Sequence, residues 1–171
     1  IARCARELDD GAQVRLDKLY TLILACRFGL HDLSRTTLDY RNRLPRFNMP
    51  LELGMFLGAR RFGSPSQAKK ICLILERDPY RYQKFCSDIA GQDIRPHHND
   101  VSTAMAVVRD WIRTIQTRRA TIPGIGHLRK RYVQFQIQLP QMCRAERLEP
   151  RELGFVDYRM LVAAWLAENP S

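Results

Sequence analysis

An α/β domain with a central parallel sheet, followed by a helical extension, is the architecture this sequence predicts, and three observations carry it. The segment "KKICLILE" is a continuous apolar run bracketed by charge, the pattern of a strand covered on both faces. Strand-like runs alternate with segments of helical periodicity as far as Gln116, which requires parallel strands joined by right-handed crossovers. Beyond Arg119 the alternation stops and two helical segments follow with no further strand. The expected division is residues 1–119 as the sheet domain and 120–171 as a helical extension packed on it.

Taken in order, "IARCA" reads as a short strand and "RELDDG" as the turn after it. Because the chain enters strand-like sequence at once and without methionine, a first strand of the domain is expected to precede it. Val14, Leu16, Leu19, Tyr20, Leu22 and Ile23 follow helical spacing, with Asp17 and Lys18 on the wet side. A buried strand is expected around Phe28 to Leu33, then a long polar loop, "RTTLDYRNRLPRFN". Pro50 suits a first helical turn with Asn48 as its cap, and that helix should run to about Arg61. After the "ICLIL" strand, "DPYRYQKFCSDIA" reads as helix and "QDIRP" as a short strand. An amphipathic helix follows, with Val101, Met105, Val108, Trp111, Ile112 and Ile115 along one side. The joint "TIPGIG" leads into the two closing helices, whose Trp165 and Leu166 need a surface to bury against.

Composition bounds the rest. A chain of 171 residues, 45% hydrophobic, can bury one full core. Apolar runs such as "LYTLILAC" fall far short of the roughly 20 residues that cross a bilayer, and no stretch has the order of a signal peptide, so a cytoplasmic protein without a membrane partner is expected. The net charge of +10 invites a nucleic-acid reading, above all at Arg118 to Arg131. A solvated basic surface is the plainer explanation, and attraction of a phosphorylated small molecule is the other. Five cysteines, odd in number and without a C-x-x-C pair, read as reduced thiols and not as a disulfide framework or zinc site. His97 and His98 are adjacent, so their side chains diverge in an extended segment, and no metal site is expected. The glycine fingerprints of dinucleotide and triphosphate binding are both missing.

Ligands of open parallel sheets bind outside the carboxyl ends of the strands. The loops there carry Glu7, Asp9, Asp10 and Gln13, then His31, Asp32, Ser34 and Arg35, then Glu76, Arg77 and Asp78. The second connection continues through Asp39, Arg46 and Asn48 to Glu52, a lone acid among small and apolar residues behind Pro50.

A strand ending "GLHDLS" followed by a helix opening "NMPLELGMFLG" resembles the nucleoside 2-deoxyribosyltransferase-like and TIR-like superfamily, in a bacterial branch of it, over roughly Ile1 to Gln116. The resemblance implies a flavodoxin-like three-layer sandwich that cleaves N-glycosidic bonds. It implies Glu52 as the catalytic carboxylate and Asp32, Ser34 and Asn48 as ligand contacts; by their chemistry Asp32 suits sugar hydroxyls, and either Arg35 or Arg46 suits phosphates. Asp10, on the first rim loop, completes the candidate set, although turn formation is the favoured reading of Asp9 and Asp10 in Asp-Asp-Gly. The implied substrate is a nucleotide or NAD, with no bound cofactor; self-association and a role in antiphage defence are implied as well. Two other functions are weighed beside it: a module that binds a nucleotide signal or partner without chemistry, and nucleic-acid binding through Arg118 to Arg131. Structural explanations also stand for the key acids. An acid in a first helical turn gains about 0.3–1 kcal/mol from the helix dipole, and Asp32 can cap its own loop.

Overall fold

The computed structural model describes residues 2–5, 7, 10–36, 38–39, 41, 43–116 and 121–170. They form a mixed α/β structure with a three-stranded parallel sheet and five α-helices. The chain divides into two compact units, Val14–Ala120 and a second made of Ile1–Gln13 with Thr121–Ser171.

In the first unit, helix α1 (Arg15–Ala25) leads into strand β1 (Phe28–Asp32), helix α2 (Asn48–Phe62), strand β2 (Ile71–Glu76), strand β3 (Ile94–Pro96) and helix α3 (Val101–Ile115). The strands lie in the order β1-β2-β3, with Phe28 beside Ile71, Asp32 beside Leu75, and Ile74 beside Ile94. Side chains alternate across a sheet, so this register sorts them into two faces. Ile74 and Ile94 share one face with Leu33 and pack there against Leu53 of α2, with Tyr82, Phe85 and Ile89 from the β2–β3 connection. On the opposite face Phe28 meets Trp111 of α3 edge-on, at 6.3 Å between ring centroids. Both crossovers therefore pass over one face, as right-handed connections dictate when strands are added in sequence, and α3 covers the other.

Helix α1 is tied down from its C-terminal end. Lys70 is almost completely buried, and its ammonium donates to the Ile23 and Cys26 carbonyls while sitting 4.7 Å from the centre of the Phe56 ring. A cation there satisfies carbonyls that the last turn leaves open. Gln67 Nε2 donates to the Leu24 carbonyl at 3.1 Å in the same role.

Gly29 marks a close approach of α2 to the sheet. A Cβ there would lie 2.8 Å from His31 Nε2 and 2.8 Å from Phe56 Cε2. Gly29→Ala is expected to cost about 1–3 kcal/mol through overpacking, read as a lower urea midpoint at unchanged slope. A midpoint equal to wild type would show that the Phe56 ring can retreat freely.

Several expectations are corrected. No strand forms at Ala2–Ala5: these residues end in a turn closed by Glu7 N–H on the Cys4 carbonyl at 3.0 Å, and they gain no ladder partner among the described residues. Ile1 lies outside the described residues. The stretch expected as a helix after β2 is instead two short 3-10 turns, Arg81–Lys84 and Ser87–Ile89. Tyr80 at φ 61° and Cys86 at φ −152° interrupt helical geometry before each of them. Asn48 does not cap α2 but is its first residue, with Phe47 in the capping position and no side-chain bond. Pro50 does fall in the first turn, where a missing N–H costs nothing.

The second unit pairs helix α4 (Ile125–Ala145) with helix α5 (Phe155–Glu168). Phe135, Leu139 and Cys143 of α4 bury against Leu161 and Trp165 of α5, and Trp165 Nε1 donates to Gln138 Oε1 at 2.7 Å. Trp165 thus finds the surface its periodicity demands, whereas Leu166 stays 48% exposed.

Candidate functional site

The carboxyl ends of the three strands are knitted together by backbone and side-chain bonds. Leu33 N–H reaches the Leu75 carbonyl at 2.8 Å, and His97 N–H the Glu76 carbonyl at 2.9 Å. Below them Glu76 is fully buried. Its Oε1 accepts Arg77 N–H at 2.6 Å and lies 3.3 Å from Arg81 Nε. The same guanidinium donates to the Ser34 carbonyl at 2.8 Å and to Thr36 Oγ1 at 3.0 Å. Arg81 therefore joins the loop after β1 to the loop after β2 and offsets a charge that could not otherwise stand in the interior.

Asp32 closes β1 on the α3 face, since it shares the register of Phe28 and alternates with His31. Its Oδ1 accepts Ser34 N–H at 2.9 Å and faces His97 Nε2 at 3.4 Å. His97 is itself buried, and its Nδ1 accepts Asn99 N–H at 3.1 Å. An imidazole nitrogen that accepts carries no proton, so the hydrogen of neutral His97 is on Nε2, directed at Asp32. Asp32 keeps 40% of its side chain open to solvent, and no described residue bonds to its Oδ2. Left-handed backbone concentrates in the same loops, at Tyr80 (φ 61°) after β2 and at His98 (φ 54°) and Asn99 (φ 55°) after β3. Non-glycine residues hold such angles only where neighbours over-determine them.

Glu52 lies in the second turn of α2, beyond the first turn where an acid was expected. The dipole preference that would explain it structurally is accordingly weak. Its neighbour Leu53 packs on Leu33, which brings Glu52 to the level of the strand ends. It is half-buried and makes no hydrogen bond or ion pair with a described residue. Burial pushes its carboxyl above the usual range, opposed by the field of Arg15 at the start of α1.

The other expected residues separate. Ser34 is buried, with its N–H on Asp32 and its carbonyl on Arg81. Arg46 is 78% exposed and pairs with Asp39 at 3.5 Å, and Asn48 is exposed. Asp10 belongs to the second unit, where its Oδ1 accepts Ala12 N–H at 2.9 Å in a turn. Asp9 lies outside the described residues. His31, expected on the rim, instead points into the α2 face against Phe56, at 5.2 Å between ring centres. Both its nitrogens lack a hydrogen-bond partner among the described residues, and burial lowers its pKa to about 4. His97 and His98 do diverge, the first to Asp32 and the second toward Asp78 at 4.0 Å. Sequence reasoning missed Arg81, one arginine among many, and the pairing of His97 with Asp32, which only the β1-β2-β3 order creates.

Of the basic stretch, Arg118 and Arg119 lie outside the described residues. Arg131 is engaged within its unit, at the Asn169 carbonyl and 4.8 Å from the centre of the Trp165 ring. A cavity of about 460 Å³ lies between α4 and α5, bordered by Gln138, Met142, Leu161 and Glu168 among others, and none of the candidate residues lines it. Among the described residues no group of three or more His, Cys, Asp and Glu is placed to hold a metal, and no helix is long and apolar enough to cross a membrane. Comparison with protein-family models, with curated proteins and with solved structures gives no match to this chain.

Proposed function

We propose that the Val14–Ala120 unit belongs to a flavodoxin-like sandwich that cleaves the N-glycosidic bond of NAD or a related nucleotide, with Glu52 as the essential carboxylate. One observation carries this reading: a half-buried acid at the level of the strand ends, with its pKa raised by burial and no hydrogen-bonding partner among the described residues. A perturbed carboxylate without a hydrogen bond to a described residue, at the ligand-binding end of a parallel sheet, is a functional candidate on physical grounds. The strand order and the placement of α2 and α3 on opposite faces support the sandwich.

In the reaction the bond from the anomeric carbon to the nicotinamide nitrogen breaks, and its electron pair leaves with the ring and neutralises the pyridinium. Positive charge develops on the ribose, which the Glu52 carboxylate stabilises or captures as an ester. Water then attacks the anomeric carbon and releases its proton. Asp32 ends β1 on the α3 face and Glu52 stands on α2, which covers the other face, so the reading requires a substrate that lies across the end of β1. The net charge of +10 favours a substrate with two phosphates.

Full-length protein incubated with NAD should release nicotinamide, and Glu52→Gln should lower that rate on the order of 10²-fold or more while keeping the wild-type melting temperature. Because the carboxylate form works and burial raises its pKa, the acid limb of the rate profile should lie above the ordinary range for glutamate. Equal release by both proteins overturns the proposal. Calorimetric NAD binding without release favours the binding module instead.

A further inference from the structure

We propose that His97 is a positioning residue, holding Asp32 as an acceptor for ribose hydroxyls and giving the rim a preference for ribosyl over 2-deoxyribosyl ligands. This ligand class rests on the nucleotide reading above, while the His97–Asp32 coupling stands on geometry alone.

The two oxygens of Asp32 are unequal. Oδ1 is occupied by Ser34 N–H at 2.9 Å and by His97 Nε2 at 3.4 Å, whereas Oδ2 has no partner among the described residues and the side chain is 40% exposed. The contact to His97 is long, as hydrogen bonds in ligand-free sites often are before they tighten around a ligand. His97 cannot turn to serve another group, because its Nδ1 is fixed by Asn99 N–H at 3.1 Å and its backbone by the Glu76 carbonyl at 2.9 Å. Its ring is 8% exposed, so the donor is shielded from water and aimed at one oxygen. The consequence is a carboxylate whose rotation is fixed, with one acceptor atom facing solvent at the end of β1.

A carboxylate only accepts hydrogen bonds, which excludes direct contact with phosphate and selects hydroxyl or ammonium donors. One oxygen accepts two bonds, and the vicinal hydroxyls of ribose supply two converging donors; 2-deoxyribose supplies one. A site built to hydrogen-bond a hydroxyl rejects the analogue lacking it. Free rotation of Asp32 would spread that discrimination over several orientations, which is the contribution assigned to His97.

The test compares adenosine 5′-monophosphate with its 2′-deoxy analogue by calorimetry on the full chain, in wild type, His97→Leu and His97→Gln. Wild type should bind the ribonucleotide about tenfold tighter, His97→Leu should bring the ratio close to one, and His97→Gln, whose amide still donates, should recover most of it. A ratio unchanged in a folded His97→Leu protein overturns the role of His97, and nicotinamide release by wild type would then leave the glycosidic reading standing. Failure of wild type to bind either nucleotide overturns the ligand class. Long-range ¹⁵N spectra decide the coupling separately: His97 should carry its proton on Nε2 and respond to Asp32→Asn. A proton on Nδ1 overturns it.

Discussion

Replacing Arg81 with methionine is expected to destabilise the Val14–Ala120 unit by about 3–5 kcal/mol, the largest single effect foreseen for this chain. Glu76 sits at the end of the central strand with its side chain 1% exposed, and Arg81 is the cation beside it, at 3.3 Å and 11% exposed. Removing the guanidinium leaves a carboxylate charge uncompensated in the interior, and it also strips the Ser34 carbonyl and Thr36 hydroxyl of their donor. The methionine stem replaces most of the packing on Phe85, which lies 5.3 Å below the guanidinium, so the loss reports charge more than volume. Urea unfolding should show the loss as a shifted midpoint, and adding Glu76→Gln to Arg81→Met should return part of it by removing the stranded charge. A cost below about 1 kcal/mol for the single variant would mean that Arg81 does not offset the Glu76 charge in the folded protein.

His31→Leu is expected to remove most of an acid sensitivity that the wild type carries. The His31 pKa falls to about 4 in the folded protein from an ordinary value of 6.5, because the ring is buried against Phe56, where its nitrogens meet no hydrogen-bond partner among the described residues. A depressed folded pKa means that the unfolded chain takes up the proton first, so the contribution to stability is complete above pH 6.5 and is lost as the pH falls toward 4. Over that window the loss amounts to about 3 kcal/mol. Glu52, with its raised pKa, acts in the opposite sense: it binds its proton more readily when folded, and that contribution fades as the pH rises. The diagnostic is therefore the difference between wild type and His31→Leu in unfolding free energy at pH 7 and pH 4.5, not either slope alone. Parallel profiles would show that His31 is solvated in the native state.

Periodicity carried most of the fold. The apolar run at Ile71–Glu76 is a central strand, and the stripe of Val101 through Ile115 is a helix beginning where Asp100 accepts Thr103 N–H at 2.7 Å. Both patterns are local, so they survive being read one segment at a time. The errors fall where local preference yielded to the surroundings. "DPYRYQKFCSDIA" has helical composition, yet Tyr82, Phe85 and Ile89 are drawn onto Leu33 and Ile74, and a left-handed Tyr80 lets the chain turn there. "IARCA" has strand composition, but its described residues Ala2–Ala5 end in a turn without a ladder.

The site divides along the same line. Asp32 and Ser34 sit where a strand-to-loop boundary puts them, and the nearness of Asp32 in the chain suffices for its bond to Ser34 N–H at 2.9 Å. Sequence by itself determined a parallel sheet, the five α-helices and the acids that follow β1 and β2, because hydrophobic period and turn chemistry act over a few residues. Only the tertiary structure decided that His97 meets Asp32, that Arg81 neutralises Glu76, that His31 turns inward and that Glu52 is half-buried in the field of Arg15, without a hydrogen bond among the described residues. Those outcomes depend on strand order and on which face each helix covers, and the burial that shifts a pKa or strands a charge exists only once distant segments have packed together.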